Sequence, residues 1–228
     1  MGALTGGAMG TPDKPVNRSR GCGGIMRVAP VALWDPAAPI LDADLLGAKA
    51  AATTHGHPLG YMPAAALVHV VRRVADKFGP LGAALEDAKI ALKQLFPDDP
   101  HLEGLLATIA RAQRLAANAD RDEDNIPLLG AGWAGDEALG IALYCCLRHE
   151  DDFAGTIVSA VNHGGDSDST GAVAGNIAGA QCGYAAIPRE FKEKLELREV
   201  ILEIADDLCR AAGRADGGWL QKYKSVKQ

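Results

Sequence analysis

The chain has 228 residues, 48% of them hydrophobic and 23% charged, which is close to the average for soluble globular proteins. This length suits one domain, and the composition excludes disordered, collagen-like and coiled-coil chains. A net charge of −6 argues against binding nucleic acid or an anionic membrane through a basic face. No apolar run reaches the roughly 18–20 residues of a membrane span, and no secretory leader is expected.

Two features of the composition bear on fold and compartment. Aromatic residues make up only 5%, and Leu, Ile and Val recur at three- and four-residue spacings, which favours helices over strands. The cysteines are odd in number and lack metal-ligand spacing, which predicts reduced thiols in a cytoplasmic protein. They are Cys22, Cys145, Cys146, Cys182 and Cys209.

The predicted elements begin with a Gly- and Pro-rich segment over residues 1–40, with one short helix near 26–33. Amphipathic segments follow, each bounded by proline, glycine or polar residues. They predict helices at about 42–52, 58–77, 81–95, 102–117, 137–147, 153–161, 171–184 and 190–212. The charged run 120–124 is interpreted as a solvated turn, and 216–228 as a polar tail. The sequence therefore predicts a single all-α domain over residues 1–215.

The strongest chemical signal is the run GGDSDSTG at residues 164–171. Its two carboxylates and neighbouring hydroxyls suit Mg²⁺, Mn²⁺ or Ca²⁺, and the start of the following helix favours anions. An EF-hand is excluded because its twelfth loop position, normally Glu, is Ile177. The run therefore predicts a metal or phosphate site, with a simple helix cap as the alternative.

Three weaker signals accompany it. His55 and His57, in the run TTHGHP at 53–58, could ligate zinc, although a helix cap and a packed ring are favoured. The run GCGGIMR at 21–27 could wrap a phosphate or ribose, but it lacks the Lys-Ser/Thr of a P-loop. Trp133, beside two glycines, could stack on a base or fill the core.

Together these segments resemble the ADP-ribosylglycohydrolase family. The similarity runs from about residue 8 to residue 210, in the family's order and spacing. It is carried by the runs GTP at 10–12, SRGCGGIMRVAP at 19–30, THGHP at 54–58, GW at 132–133, DEAL at 136–139 and AVNHGGDSDSTG at 160–171. The resemblance implies an all-α fold around a dinuclear Mg²⁺ or Mn²⁺ centre. It also implies a hydrolase that cleaves the N- or O-glycosidic bond joining ADP-ribose to a protein side chain or small acceptor.

The resemblance also implies roles for individual residues. Asp166, Asp168 and Ser169 would be about half of the metal ligands. The ADP-ribose cleft would be lined by Gly21, Cys22, Gly23, Gly24, Met26, His55, His57, Trp133 and Gly165.

One departure from the family pattern is large. Members begin with a Gly-Asp-Ala-Leu-Gly-like helix and a Ser/Thr-Asp-Asp segment, which supply the other ligands and the candidate acidic catalysts. Upstream of Arg27 this sequence has no paired Asp, and the pairs at 98–99 and 206–207 are interpreted as surface charge. We therefore expect an N-terminally shortened domain with catalytic acids outside it, impaired activity, and self-association through exposed core surface. The alternative is a non-catalytic ADP-ribose-binding relative or an incomplete fragment.

Overall fold

The computed structural model describes residues 9–211 and 222–223, and within these residues the chain is helical. The only strand-like pairing described there is an isolated antiparallel bridge between Gly21 and Ala134. The all-α prediction is thus confirmed. The α-helices are α1 (Val31–Trp34), α2 (Ile40–Ala52), α3 (Pro58–Ala75), α4 (Leu81–Leu95), α5 (Leu102–Ala116), α6 (Asp122–Asn125), α7 (Gly135–Arg148), α8 (Phe153–Val161), α9 (Ser167–Cys182), α10 (Arg189–Glu193) and α11 (Arg198–Ala211). Three 3₁₀ helices cover Cys22–Arg27, Ile126–Leu129 and Tyr184–Ala186.

Helix α3 forms the centre of the core and contacts α2, α4, α7 and α9. It starts where His57 caps its first turn and Pro58 occupies its first position, a place that tolerates proline because no helical N–H bond is lost. Small residues let α2 approach closely, since a Cβ added at Gly47 would lie 2.6 Å from Cγ2 of Val68. None of the described helices is long and apolar enough to cross a membrane.

Helices α7 and α9 carry residues of the candidate functional site at their amino-terminal ends. Both are anchored by fully buried side chains, including Leu139 and Ile141 on α7 and Ile177 on α9. Their amino-terminal ends lie beside the 3₁₀ turn Cys22–Arg27, which contacts both helices. The glycine-rich turn, the loop before α7 and the acidic first turn of α9 are therefore neighbours.

Two helix boundaries differ from the prediction. Helix α9 begins at Ser167 rather than near residue 171, so most of the acidic run forms its first turn instead of a preceding loop. The predicted helix 190–212 is two helices, α10 and α11, separated by a bend in which Leu197 adopts a left-handed φ of 56°. The apolar side of this segment is not core, because Leu195, Val200 and Ile204 are each about half exposed. Apart from 222–223, the predicted tail at 216–228 lies outside the described residues.

The charged run at 120–124 is also only partly a solvated turn. Asp122 opens α6 and accepts hydrogen bonds from the Tyr144 hydroxyl and the Ser159 hydroxyl, each at 2.6 Å. His149 Nε2 lies 3.1 Å from the same carboxylate. Burial acts to raise the pKa of Asp122, but these hydrogen bonds outweigh it and hold the pKa below the ordinary value. Asp122 therefore joins α6, α7 and α8 through one carboxylate.

A second polar cluster lies inside the helix bundle. His69, on α3, is 2% exposed, and its Nδ1 and Nε2 lie 2.7 Å from Asp44 Oδ2 and 2.9 Å from Asp87 Oδ2. Arg73 adds a hydrogen bond of 2.5 Å to Asp87. Sequence analysis assigned His69 no role, because its partners come from α2 and α4, 25 and 18 residues away. The cluster ties three helices together with charge-assisted hydrogen bonds.

Candidate functional site

Three chain segments meet at the candidate site and are joined by backbone hydrogen bonds. The Cys22 N–H donates to the Trp133 carbonyl at 3.0 Å, and the Gly135 N–H donates to the Arg20 carbonyl at 2.9 Å. The Asp166 N–H donates to the Ala131 carbonyl at 2.7 Å. The loop before α7 thus lies between the glycine-rich turn on one side and the start of α9 on the other.

Glycine is required where these segments touch. A Cβ added at Gly165 would lie 2.0 Å from the Ala131 carbonyl oxygen, a distance that no real contact reaches. Gly132 has a φ of +85°, and a Cβ there would lie 2.9 Å from Cγ2 of Thr170. The neighbouring Gly164, in contrast, has nothing within 4 Å of its added Cβ.

Asp166 stands at the N-cap of α9 and is 8% exposed. The Cys22 thiol donates to its Oδ2 at 3.0 Å, and the same sulfur lies 3.3 Å from the Ser169 hydroxyl oxygen. Burial acts to raise the pKa of Asp166, while hydrogen bonds with Cys22, Asp168 and Ser169 hold it below the ordinary value. Ser169 is 3% exposed and Asp168 is exposed, so one carboxylate and one hydroxyl are inside and one carboxylate faces solvent.

The chemistry of this donor set fits a hard divalent cation. Two carboxylates and a hydroxyl within one helical turn are oxygen ligands of the kind Mg²⁺ and Mn²⁺ prefer. Among residues 9–211 and 222–223, however, no three or more His, Cys, Asp or Glu side chains are grouped so as to hold a metal ion. Among the described residues, these oxygen donors therefore come from a single helical turn.

His163 fixes the turn that precedes α9, a role that sequence analysis did not assign. Its Nδ1 accepts from the Gly165 N–H at 3.1 Å, so the ring proton is on Nε2, which lies 2.8 Å from the Thr170 hydroxyl. That hydroxyl in turn lies 2.7 Å from the Ala160 carbonyl, to which it donates. Burial lowers the pKa of His163, which keeps the ring neutral and this arrangement intact.

The two histidines of the 53–58 run have separate environments. The His55 ring lies against the glycine-rich turn, where Cβ atoms added at Gly21 and Gly23 would lie 3.6 Å and 3.3 Å from its Nε2. His57 accepts from the Leu59 N–H through Nδ1 at 3.1 Å and so caps α3, and its ring lies 4.7 Å from that of His101. The sequence favoured a helix cap over a zinc ligand, and in the structure His57 is a helix cap. Within the described part of the chain, the two rings share no hydrogen-bond partner.

The remaining predicted cleft residues are either exposed or packed against other parts of the chain. Trp133 is 65% exposed, so its side chain does not fill the core, and its backbone pairs with Cys22. Met26 is half-buried and packs against the core cluster. A Cβ added at Gly24 would lie 2.9 Å from the Gly60 carbonyl, so this turn also depends on close backbone approach.

Two acidic residues, Asp136 and Glu137, lie at the start of α7 beside these segments. Glu137 accepts from the Ala131 N–H at 3.2 Å and lies 3.5 Å from the Arg20 guanidinium. Asp136 has one buried carboxylate oxygen, Oδ1, without a hydrogen-bond partner among the described residues, and burial raises the pKa of Asp136. The sequence showed this pair as part of the family motif without assigning it a role.

Comparison with known proteins bears on this arrangement. The family model described as ADP-ribosylglycohydrolase matches residues 2–217. ADP-ribosylhydrolase ARH3 from Mus musculus is 27% identical over 220 residues, and ARH3 from Homo sapiens is 28% identical over 221. Each alignment covers 84% of this chain, but only 57% and 58% of those proteins. The chain therefore spans a little over half the length of these relatives.

Shorter and structural similarities agree with these matches. ADP-ribosyl-[dinitrogen reductase] glycohydrolase from Rhodospirillum rubrum is 41% identical over 66 residues, which is 28% of this chain and 22% of that protein. A solved structure described as an ADP-ribosylglycohydrolase-related protein complex superposes with a TM-score of 0.63 at 30% identity. It covers 92% of this chain and 66% of that one. The chain belongs to the ADP-ribosylglycohydrolase family.

Proposed function

We propose that this chain is an ADP-ribosylglycohydrolase-type hydrolase that cleaves the glycosidic bond between ADP-ribose and a protein side chain or small acceptor. Family membership supports the reaction class. The observation that carries the proposal is the contact of 3.0 Å between Cys22 Sγ and Asp166 Oδ2, which joins residues 144 positions apart. It brings the glycine-rich turn against the acidic turn of α9, the two segments that the resemblance assigns to substrate and metal.

The residues of the proposed site form two parts, a substrate cleft and a metal-binding side. Glycines at 21 and 23 allow a phosphate or ribose to approach the backbone closely, while Gly24 lets the turn pack against Gly60. Asp166, Asp168 and Ser169 would hold Mg²⁺ or Mn²⁺ from the α9 side. Such ions, when bound, orient hydroxyls and water and stabilise developing charge.

We further propose that hydrolysis by this chain is slow compared with binding. The absence of a three-member metal-holding cluster among the described residues supports this, because a half-liganded ion is bound weakly. The same observation favours a second candidate function, in which the chain binds ADP-ribose without turning over its conjugates. An ADP-ribosylated protein or small molecule is the partner in either case.

A cytoplasmic location is part of the proposal. All five cysteines, which lie among the described residues, are free thiols, as expected in a reducing compartment. The net charge of −6 argues against a nucleic-acid partner, and a small anionic ligand would have to be held by local groups.

Two measurements on the 228-residue chain test these functions. The first is calorimetric titration with ADP-ribose in the presence of Mn²⁺, and the second is release of ADP-ribose from an ADP-ribosylated peptide. Asp168→Asn should weaken Mn²⁺ binding about tenfold or more, whereas Asp98→Asn, an exposed carboxylate outside the site, should have no effect. Binding with turnover supports the hydrolase, binding without turnover supports the second candidate, and no binding contradicts both.

A further inference from the structure

Arg27 ends the glycine-rich 3₁₀ turn, and its side chain reaches the segment that carries His55. Its Nη2 donates to the Ala50 carbonyl at 3.0 Å and to the Thr54 hydroxyl oxygen at 2.5 Å. The Thr53 hydroxyl oxygen lies 3.2 Å from the same nitrogen. The guanidinium thereby joins the C-terminal end of α2 to the turn at the candidate site.

Thr54 connects this guanidinium to His55. Its Oγ1 lies 2.8 Å from His55 Nδ1, and a hydroxyl has one hydrogen and two acceptor lone pairs. Arg27 can only donate, so it occupies a lone pair and leaves the Thr54 hydrogen available. Among the described contacts of the Thr54 hydroxyl, Arg27 is a donor and Nδ1 of His55 is the only group that can accept this hydrogen.

The hydrogen bonds therefore assign the tautomer of His55. If the Thr54 hydroxyl donates to Nδ1, the ring proton of the neutral imidazole is on Nε2. A second proton is disfavoured, because burial first and the positive charge of Arg27 second both lower the pKa of His55. The ring then presents one N–H donor and no charge.

This Nε2 is at the candidate cleft. Among the described residues it has no hydrogen-bond partner, and Cβ atoms added at Gly21 and Gly23 would lie 3.6 Å and 3.3 Å from it. Because these positions are glycines, a ligand oxygen can reach the N–H without a side chain in the way.

We infer that Arg27 is a positioning residue that acts through Thr54 to hold His55 as its Nε2–H tautomer, a neutral donor for an oxygen of the bound ligand. The assignment of that ligand as ADP-ribose rests on the proposed function. The relay itself is a property of the ligand-free chain. It explains why a charged side chain that faces solvent makes three hydrogen bonds to one short segment.

The test is a long-range ¹H–¹⁵N spectrum of the histidine rings in the ligand-free, full-length chain, with the His55 signals assigned by their loss in His55→Asn. We expect a protonated Nε2 and an unprotonated Nδ1 in the wild type. Thr54→Val removes the hydroxyl at constant shape and should give a mixture of tautomers, whereas Thr54→Ser should restore the Nε2–H form. Arg27→Gln should raise the pKa of His55, and Arg111→Gln, whose side chain contacts Leu128 instead, should not.

ADP-ribose affinity provides the second readout. Loss of one oriented N–H donor to a charged oxygen should weaken binding about 10- to 100-fold in Thr54→Val and Arg27→Gln, with Thr54→Ser near the wild type. A protonated Nδ1 in the wild type, or an unchanged tautomer in Thr54→Val, overturns the inference. Failure of the wild type to bind ADP-ribose, with the tautomer as expected, contradicts the proposed function and leaves the relay supported by the spectrum.

Discussion

Replacing Gly165 by alanine tests whether close backbone packing builds the acidic turn. The added Cβ would lie 2.0 Å from the Ala131 carbonyl oxygen, so one of the two backbones must move by more than 1 Å to reach an ordinary contact of about 3.2 Å. Overpacking of this kind costs about 1–3 kcal/mol, and loss of the adjoining Asp166 N–H to Ala131 hydrogen bond adds about 1 kcal/mol. The free energy of unfolding should therefore fall by about 2–4 kcal/mol.

The assay is thermal unfolding of Gly165→Ala beside Gly164→Ala. For a chain of this size each kcal/mol corresponds to about 2–4 °C, which predicts a Tm lower by roughly 4–16 °C for Gly165→Ala. Gly164→Ala should melt within about 2 °C of the wild type, because its Cβ meets nothing within 4 Å. Equal melting temperatures for the two variants would refute the idea that this contact shapes the turn.

Further predictions concern the polar clusters, the thiols and the surface. Asp122→Asn should cost about 1–3 kcal/mol at neutral pH. The pKa of Asp122 is lower in the folded protein than its ordinary value. The stabilisation that the Asp122 carboxylate provides is therefore complete above the ordinary carboxyl range and is lost as pH falls through the folded pKa. The urea midpoints of wild type and variant should consequently converge in acid. His69→Gln should cost about 1–3 kcal/mol in urea unfolding, since the Asp44 and Asp87 carboxylates lose the hydrogen-bond partner that they share; a cost below 1 kcal/mol would contradict that pairing. In the native protein a thiol reagent should label Cys182 and Cys209 first, because the other three cysteines are buried; rapid labelling of all five would count against this packing. The exposed apolar side of α11, a surface not considered in the sequence analysis, also predicts self-association, and a monomer at all concentrations in light scattering would contradict it.

Much of the helical framework could be predicted from the sequence because its boundaries are local. Prolines at 80 and 97 bound α4, and the ends of α4 and α8 were predicted correctly. The start of α9 was placed too late because polar residues suggested a loop, whereas Asp166 occupies the N-cap position of a helix whose first turn contains them. The bend at Leu197 contains no glycine or proline, so nothing in the sequence indicated a break in the helix there.

The site was only partly visible from the sequence, for a related reason. Residue types and order indicated which segments matter, but the contacts between them involve partners far apart in the chain. Cys22 and Asp166 are 144 residues apart, and the roles of His69 and Asp122 depend on side chains from other helices. A sequence shows that a histidine is present and does not show that carboxylates stand at both of its ring nitrogens.

The three backbone hydrogen bonds that join the site segments, donated by Cys22, Gly135 and Asp166, have a consequence for hydrogen exchange. Each closes a contact between loops rather than within a helix, so each can open without unfolding the bundle. Their amide protons should therefore exchange faster than those in the middle of α3 or α7. A ligand seated across all three segments would have to leave before any of them opened, so saturation would slow these three amides together. Their exchange rates report directly on whether the cleft is assembled.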